Sequence, residues 1–266
     1  AEEYQRLSDE VRDAMVREYY TPTGRLAVET QTGHVVALYM DIVPEAFRAR
    51  TIRDLRAKLA ERDDHLCTGF VGTPYLCRVL SDQGLNDLAY KLLLHNDYPS
   101  WLYEVEMGAT TIWERWNSVL PDGSISGTGM NSLNHYAYGS VVEWMYRNMC
   151  GLRPDEAAPG FRHFTLAPQP NARLGYARCR VDSAKGLIES GWKLDGGRLE
   201  MTATVPFDTT ATWALPGAKL DGLAINGASP QSLGLAVREQ ADGVVVELPA
   251  GRYTCAYAVE EDAQDA

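Results

Sequence analysis

The spacing of apolar residues changes once along this 266-residue chain, near residue 151. Before that point apolar residues recur at helical spacing, as at Leu7, Val11 and Met15, which is typical of an amphipathic helix. After the Pro/Gly-rich run GLRPDEAAPGF (151–161), apolar and polar residues alternate, as in RLEMTATV (198–205), which is typical of half-buried strands. This order predicts an α-rich domain followed by an antiparallel β-sandwich, and not an alternating α/β fold.

The α-rich part is predicted to consist of short helices joined by glycine-rich loops. Ile52, Leu55 and Leu59 share one helix face after Pro44, a residue suited to a first helical turn. Further helices are expected near 31–42, 74–81, 84–95 and 133–149. The intervening loops include CTGFVGTP (67–74) and PDGSISGTG (121–129). This alternation indicates helical hairpins, the repeat unit of solenoids and toroids.

The domain boundaries are predicted at residues 1–158 for the helical domain and 159–260 for the β-sandwich, with a disordered acidic tail at 261–266. The LDGG run (194–197) before RLEMTATV is a hairpin signal. The strands are expected at 186–194, 198–205, 209–215, 244–248 and 252–258.

Charge and composition exclude several classes of partner. A net charge of −11 without any basic run argues against nucleic acid, and no apolar stretch approaches the roughly 18–20 residues needed to span a bilayer. Nucleotide and metallohydrolase motifs are absent, and the five histidines show no ligand spacing, so no metal or cofactor is expected. The five cysteines show no CxxC spacing; they are expected to be reduced core residues, which favours the cytoplasm, with secretion as the alternative.

One region, 97–139, concentrates aromatic rings, carboxylates and amides. Aromatic rings stack on the C–H faces of sugars, and polar groups bond their hydroxyls. A glycosidase also needs two carboxyl groups that flank the glycosidic bond. The region therefore favours a carbohydrate site, with these candidate residues: Tyr98, Trp101, Tyr103, Glu104, Glu106, Trp113, Glu114, Trp116, Asn131, Asn134, His135, Tyr136 and Tyr138.

Each part of this region also has a structural interpretation. Thr111-x-x-Glu114 matches a helix capping box. Trp113 and Trp116 lie three residues apart, as on one buried helix face. On spacing alone, both interpretations are favoured over a catalytic one.

The remaining polar residues are also open to a structural interpretation. His135 opens a predicted helix and could be a hydrogen-bonded structural residue. Glu104 and Glu106 alternate with apolar neighbours, as on a short strand or a loop, and could be solvated. Only the clustering of so many such residues favours a functional site.

Four blocks of the sequence resemble bacterial α-L-rhamnosidases of glycoside hydrolase family 78. They are HLCTGFVGTPYL (65–76), YPSWLYEVEMGATTIWERW (98–116), MNSLNHYAYGSVVEWMYRNMCGLRPD (130–155) and GFRHFTLAPQP (160–170). Their order and spacing match as well. The resemblance implies the second half of an (α/α)6 toroid, or six-hairpin glycosidase fold, followed by the C-terminal β-sandwich.

The resemblance also implies a mechanism and residue roles. The family hydrolyses terminal α-L-rhamnosides with inversion, which places the general base on Glu114 and a sugar contact on His135. Trp101 and Trp113 become candidates for the pocket wall. The substrate would be a rhamnose-containing glycoside or polysaccharide.

The family's general acid lies in a D-x-P-x-R-D-E-R motif, in the first half of the toroid, and this chain has no such stretch. The chain alone is therefore expected to be nearly inactive and to need the missing N-terminal half as its partner. Two alternatives stay open: a non-catalytic carbohydrate-binding module, and another toroidal glycosidase such as a fucosidase or glucuronyl hydrolase.

Overall fold

The computed structural model describes residues 2–127 and 129–259; the predicted tail at 261–266 lies outside these residues. The chain divides into two compact units, Ala1–Val141 and Val142–Ala266. Within the described residues no helix combines the length and apolar character that a membrane span requires.

The first unit is built mainly from helices. They are α1 Glu2–Tyr19, α2 Gln31–Tyr39, α3 Glu45–Ala60, α4 Thr73–Asp82, α5 Asn86–Leu94 and α6 Trp101–Glu106. Of these, α2 packs on α3 and α4, and α5 packs on α4 and α6. A continuous helical run follows, made of a 3₁₀ turn (Ala137–Ser140), α7 (Val141–Trp144) and a π turn (Met145–Met149). From Val142 onward this run belongs to the second unit. The helix predicted at 133–149 therefore starts four residues later than expected and changes type twice.

Apolar stripes explain why α3, α4 and α5 form and pack. Leu55 and Leu59 of α3 are buried, as the sequence predicts, and Leu76 and Leu80 of α4 lie on a second buried stripe. The first helix differs, because α1 buries none of its residues. Its predicted stripe is present on the helix but exposed, with Leu7 at 52% and Val11 at 50% exposure.

Gln31 fixes the glycine-rich loop before α4. Its buried side-chain amide donates to the carbonyl of His65 (3.0 Å) and accepts the N–H of Cys67 (2.7 Å). Gly72 closes the loop where a side chain does not fit, since a Cβ there would lie 2.6 Å from Thr32 Oγ1. The loop is thus held in place by α2, and it carries Phe70 toward the site described below.

The second unit contains two sheets. The strands are β1 Leu152–Pro154, β2 His163–Leu166, β3 Tyr176–Ser183, β4 Gly186–Asp195, β5 Arg198–Val205, β6 Thr210–Pro216, β7 Ala236–Gln240, β8 Gly243–Leu248 and β9 Gly251–Ala258. One sheet has the order β1-β2-β6-β8-β7 and the other β3-β4-β5-β9. All pairs are antiparallel except β2 with β6, which run parallel, so the first sheet is mixed and departs from the purely antiparallel prediction.

Strand alternation places the core of this unit between apolar faces. The predicted inward set of β5 is buried: Leu199, Met201, Ala203 and Val205. The predicted hairpin between β4 and β5 is confirmed, with Gly196 and Gly197 both at positive φ. Tyr257 on β9 donates its hydroxyl to the carbonyl of Pro216 on β6, which ties the two sheets together.

The cysteines follow the predicted core role with one exception. All five are free, and the buried ones are Cys77, Cys150, Cys179 and Cys255. Cys67 is exposed instead, because it lies in the glycine-rich loop before α4.

Candidate active site

The segment 109–118 follows α6 and forms no helix. The predicted capping box is therefore wrong. The Thr111 hydroxyl donates to the carbonyl of Leu133, 22 residues away, and not to a nearby backbone group. The segment runs beside residues 132–135, since the N–H of His135 donates to the carbonyl of Ile112 (2.8 Å).

Glu114 is held by two hydrogen bonds to one residue of this neighbouring stretch. Its backbone N–H donates to the carbonyl of Ser132 (2.9 Å), and its Oε2 accepts the N–H of Ser132 (2.7 Å). The side chain is half-buried. Among the described residues no protein group bonds to its other oxygen, Oε1. One carboxylate oxygen is thus fixed while the second is left for a ligand or water.

The tryptophans around Glu114 form a packed aromatic core. Trp116 stacks on Tyr138 with ring centroids 4.0 Å apart and an angle of 4°, and Trp101 meets Trp116 edge-on at 5.3 Å. The indole N–H groups are used internally: Trp101 donates to the carbonyl of Tyr138 (2.9 Å) and Trp116 to that of Thr68 (3.0 Å). The predicted common helix face of Trp113 and Trp116 is wrong, although both side chains are buried.

The two tryptophans predicted to line the pocket are both deeply buried, with Trp101 6% and Trp113 3% exposed. The Trp101 ring packs edge-on against Trp116, two residues after Glu114, and so supports the segment that carries Glu114. The direct contact of Trp101 and Trp113 with a sugar stays a prediction.

His135 is half-buried and lies in an aromatic array. Its ring is nearly parallel to those of Phe70 (centroids 4.9 Å apart, 5°) and Tyr136 (5.3 Å, 9°). Its Nδ1 accepts the N–H of Ala137 (3.3 Å), which assigns the ring proton to Nε2. Among the described residues no protein group bonds to Nε2, so it is a donor suited to a hydroxyl oxygen.

Glu104 does not fit the structural interpretation of its sequence pattern, a solvated residue on a short strand or a loop. It lies in α6 and is only 2% exposed. Its Oε2 accepts the N–H of Trp113 (3.2 Å), while Oε1 is buried without a partner among the described residues. Burial raises the pKa of Glu104 to about 7, and the Trp113 N–H opposes this shift only in part. The missed signal was Ser100, an N-cap that accepts the N–H of Tyr103.

The structure also brings together three groups that show no ligand spacing in the sequence. His65, His95 and Asp97 place one potential ligand atom each within 4.8 Å of one another. The two imidazole rings are stacked, with centroids 4.2 Å apart and an angle of 17°. Their in-plane lone pairs therefore do not converge on one point, so the cluster is interpreted as an acid–histidine pairing.

The helical part and the β part of the chain each match a domain of a known protein family. Residues 1–149 match the bacterial alpha-L-rhamnosidase 6 hairpin glycosidase domain, and residues 151–227 match the bacterial alpha-L-rhamnosidase C-terminal domain. These matches define the chain as part of a six-hairpin glycosidase followed by a C-terminal domain, which confirms the predicted fold class. More narrowly, the chain belongs to the bacterial α-L-rhamnosidase family.

Individual relatives agree with this assignment. An alpha-L-rhamnosidase of Streptomyces avermitilis is 41% identical over 213 residues, which cover 80% of this chain and 20% of the relative. A crystal structure of the Streptomyces avermitilis alpha-L-rhamnosidase complexed with L-rhamnose superimposes with a TM-score of 0.87 at 36% identity, covering 96% of this chain and 24% of that one. The crystal structure of native alfa-L-rhamnosidase from Aspergillus terreus superimposes with a TM-score of 0.83 at 34% identity, covering 98% of this chain and 27% of that one. The chain thus spans about a fifth of the curated relative's length.

Proposed function

We propose that this chain contributes half of the active site of an inverting α-L-rhamnosidase, with Glu114 as the general base. The observation that carries this proposal is the asymmetric fixation of the Glu114 carboxylate. Ser132 holds Oε2, and Oε1 has no protein partner among the described residues. A fixed carboxylate with one available oxygen can orient a water molecule and accept its proton.

The substrate is a terminal α-L-rhamnoside of a glycoside or polysaccharide. Support comes from the family and from the relative solved with L-rhamnose. The proton on Nε2 of His135 suits a sugar hydroxyl, while Trp101 and Trp113 would shape the pocket wall behind Glu114. These roles rest on the site's geometry and stay proposals.

The general acid comes from a segment that this sequence does not contain. An inverting pair holds its carboxyl groups roughly 6.5–9.5 Å apart, with water between the base and the sugar. Glu104 does not suit the role of acid, because it is buried behind the backbone of Trp113. A leaving group that departs without protonation forgoes about 10²–10⁴-fold in rate, so the chain alone is proposed to be nearly inactive.

The test is release of p-nitrophenol from p-nitrophenyl α-L-rhamnoside, measured with this chain and with a protein extended to include the acid-bearing segment. We expect turnover only in the extended protein, and a loss of about 10²–10⁴-fold in Glu114→Gln because the base is removed. Glu106→Gln is the matched control, since Glu106 is exposed and, within residues 2–127 and 129–259, its side chain bonds only to Asn96. An NMR spectrum of the first anomer formed tests inversion.

The other outcomes separate the alternatives. Turnover by the isolated chain would contradict the proposed missing acid. Full activity of the extended Glu114→Gln protein would contradict the assignment of the base. If the extended protein with Glu114 intact binds rhamnose but shows no turnover, that result would indicate a binding module. Hydrolysis of fucosides or glucuronides in preference to rhamnosides would indicate another toroidal glycosidase. The cytoplasmic localisation stays a prediction that cell fractionation can test.

A further inference from the structure

Glu104 is a buried carboxyl group that the proposed reaction does not use. It lies on α6, which is anchored at both the N-cap, Ser100, and the first residue, Trp101. These anchors fix the helix, so they also fix the carboxyl group that it carries. Glu104 is only 2% exposed.

The burial of this carboxyl group calls for an explanation, because a buried ionisable group costs stability unless it is paired. Among the described residues no Lys, Arg or His forms an ion pair with Glu104, and its Oε1 has no partner. An apolar side chain of similar volume would fill the same space without that cost. The single interaction that an apolar residue could not replace is acceptance of the Trp113 N–H by Oε2 (3.2 Å).

This hydrogen bond acts on the residue directly before the proposed base. Glu104 holds the backbone N–H of Trp113, and Ser132 holds both the N–H and the carboxylate of Glu114. The backbone of Trp113 is therefore clamped from two sides, at its own N–H by Glu104 and at the N–H of the next residue, Glu114, by Ser132. Loss of the Glu104 contact would leave only the Ser132 side, and it would leave a backbone donor without an acceptor.

We propose that Glu104 is a positioning residue whose buried carboxylate fixes the backbone of Trp113 at its N–H, and thereby the orientation of the adjacent Glu114. The importance of that orientation for catalysis rests on the proposed function, whereas the clamp itself does not. In this role Glu104 acts through the Trp113 backbone and not on the substrate itself.

The surroundings of Glu104 make this clamp sensitive to pH. The facing groups are the Trp113 N–H, from the segment after α6, and Tyr138, from the 3₁₀ turn. Burial raises the pKa of Tyr138 first, and the charges of Glu104, Tyr98 and Glu114 raise it further. Glu106, the other acid of α6, is exposed. Since the Glu104 pKa is about 7, the strong anionic acceptor forms as the pH rises through neutrality.

The first test follows the backbone amide of Trp113 in the 266-residue chain, labelled with ¹⁵N-tryptophan, between pH 5 and 9. We expect its chemical shift to titrate with a midpoint near 7 and to lose that titration in Glu104→Gln. Glu106→Gln, which changes the same residue type two positions along the helix, should keep it. A Trp113 amide that does not titrate, or that titrates unchanged in Glu104→Gln, would overturn the proposal.

Amide hydrogen exchange gives a second readout that does not require activity. At pH 8 the shorter side chain of Glu104→Asp withdraws the acceptor, and we expect exchange at Trp113 to accelerate about tenfold, as for loss of one charge-assisted hydrogen bond. Unchanged exchange in a variant with a normal melting transition would contradict the clamp.

Kinetics of the protein extended with the acid-bearing segment separate this inference from the proposed function. Glu104→Asp, which withdraws the acceptor, should lower kcat about tenfold with little change in KM. Glu104→Gln, which keeps an acceptor oxygen but removes the charge, should remove a step near pH 7 from the kcat profile. If Glu114→Gln abolishes turnover, but Glu104→Asp leaves kcat unchanged and Glu104→Gln leaves its pH profile unchanged, the positioning role is wrong. If Glu114→Gln stays active, the proposed function fails, and the amide titration alone decides whether the clamp exists.

Discussion

At the scale of single residues, the sequence predicts which block matters better than it predicts what each side chain contacts. The block GATTIWERW identifies Glu114 through family resemblance, but the local pattern Thr111-x-x-Glu114 suggests a cap that does not form. The actual partners, Leu133 and Ser132, lie 22 and 18 residues away. The local sequence pattern does not predict the burial of Glu104 either, because this burial depends on residues that pack from distant parts of the chain.

His65 illustrates a second non-local contact, at the start of the loop that carries Phe70. Its Nε2 lies 2.9 Å from Asp97 Oδ1, and its Nδ1 lies 3.1 Å from the carbonyl of Arg62. Both ring nitrogens therefore face acceptors, which only the protonated ring satisfies. Burial lowers the pKa of His65, but the hydrogen bond and charge of Asp97 outweigh it, so the net pKa is raised.

This pairing predicts a pH dependence of stability. Because the folded pKa of His65 lies above the unfolded value of about 6.5, the contribution is complete below that value and is lost as the pH rises through the folded pKa. We expect Asp97→Asn to destabilise the chain most near pH 5.5 and least near pH 9, measured by urea unfolding. Asp13→Asn, an exposed position on α1, should show no such trend. An effect of Asp97→Asn that is equal at all pH values would contradict the ion pair.

At the scale of elements, strongly alternating or periodic segments were predicted well and short or weakly apolar ones were missed. β4, β5, β6, β8 and β9 carry large apolar side chains on one face, and their positions are confirmed. β1 and β2 have only three and four residues, too few for a periodic signal. β3 does alternate, but its buried residues Ala177 and Cys179 are small, so the pattern has little contrast.

Two buried tryptophans in facing sheets differ in how their indole N–H is satisfied. Trp192 on β4 donates to the carbonyl of Met149 (2.8 Å). Trp213 on β6 is fully buried, and its Nε1 has no protein acceptor among the described residues. The two rings are buried to a similar extent, with 3% and 0% exposure. A comparison of the two sites therefore separates the contribution of the hydrogen bond to stability from that of burial.

We therefore expect Trp192→Phe to cost more stability than Trp213→Phe. Both substitutions remove a similar volume, but only Trp192→Phe leaves a buried backbone carbonyl without its donor. We expect this lost hydrogen bond to lower the free energy of unfolding by about 1–2 kcal/mol more than Trp213→Phe does. Urea unfolding of the two variants at one pH measures the difference directly. Equal losses would mean that water satisfies both positions or that packing alone determines the cost.

At the scale of the whole chain, two boundaries are possible between the helical part and the β part. The change in periodicity near residue 151 predicts a boundary at 158, yet the second compact unit starts at Val142. Trp192 and Ser190 of β4 donate to the carbonyls of Met149 and Cys150. Gly151 lies so close to Ala167 and Pro168 that a Cβ there would be 2.0 Å from the Pro168 nitrogen. No pattern within residues 145–151 reveals these contacts, because their partners lie in strands and loops that follow.

The two possible boundaries make different predictions for isolated fragments. Residues 142–259 keep the hydrogen-bond acceptors of Trp192 and Ser190 together with β1, the antiparallel neighbour of β2. Residues 159–259 lack all three. We expect the longer fragment to unfold cooperatively in urea. The shorter fragment should be less stable by at least about 2 kcal/mol, because the buried donors of Trp192 and Ser190 lose their hydrogen-bond acceptors. Tryptophan fluorescence and circular dichroism measure both transitions. Equal unfolding midpoints would show that residues 142–158 add nothing to the β unit, and would favour the boundary that the sequence predicts.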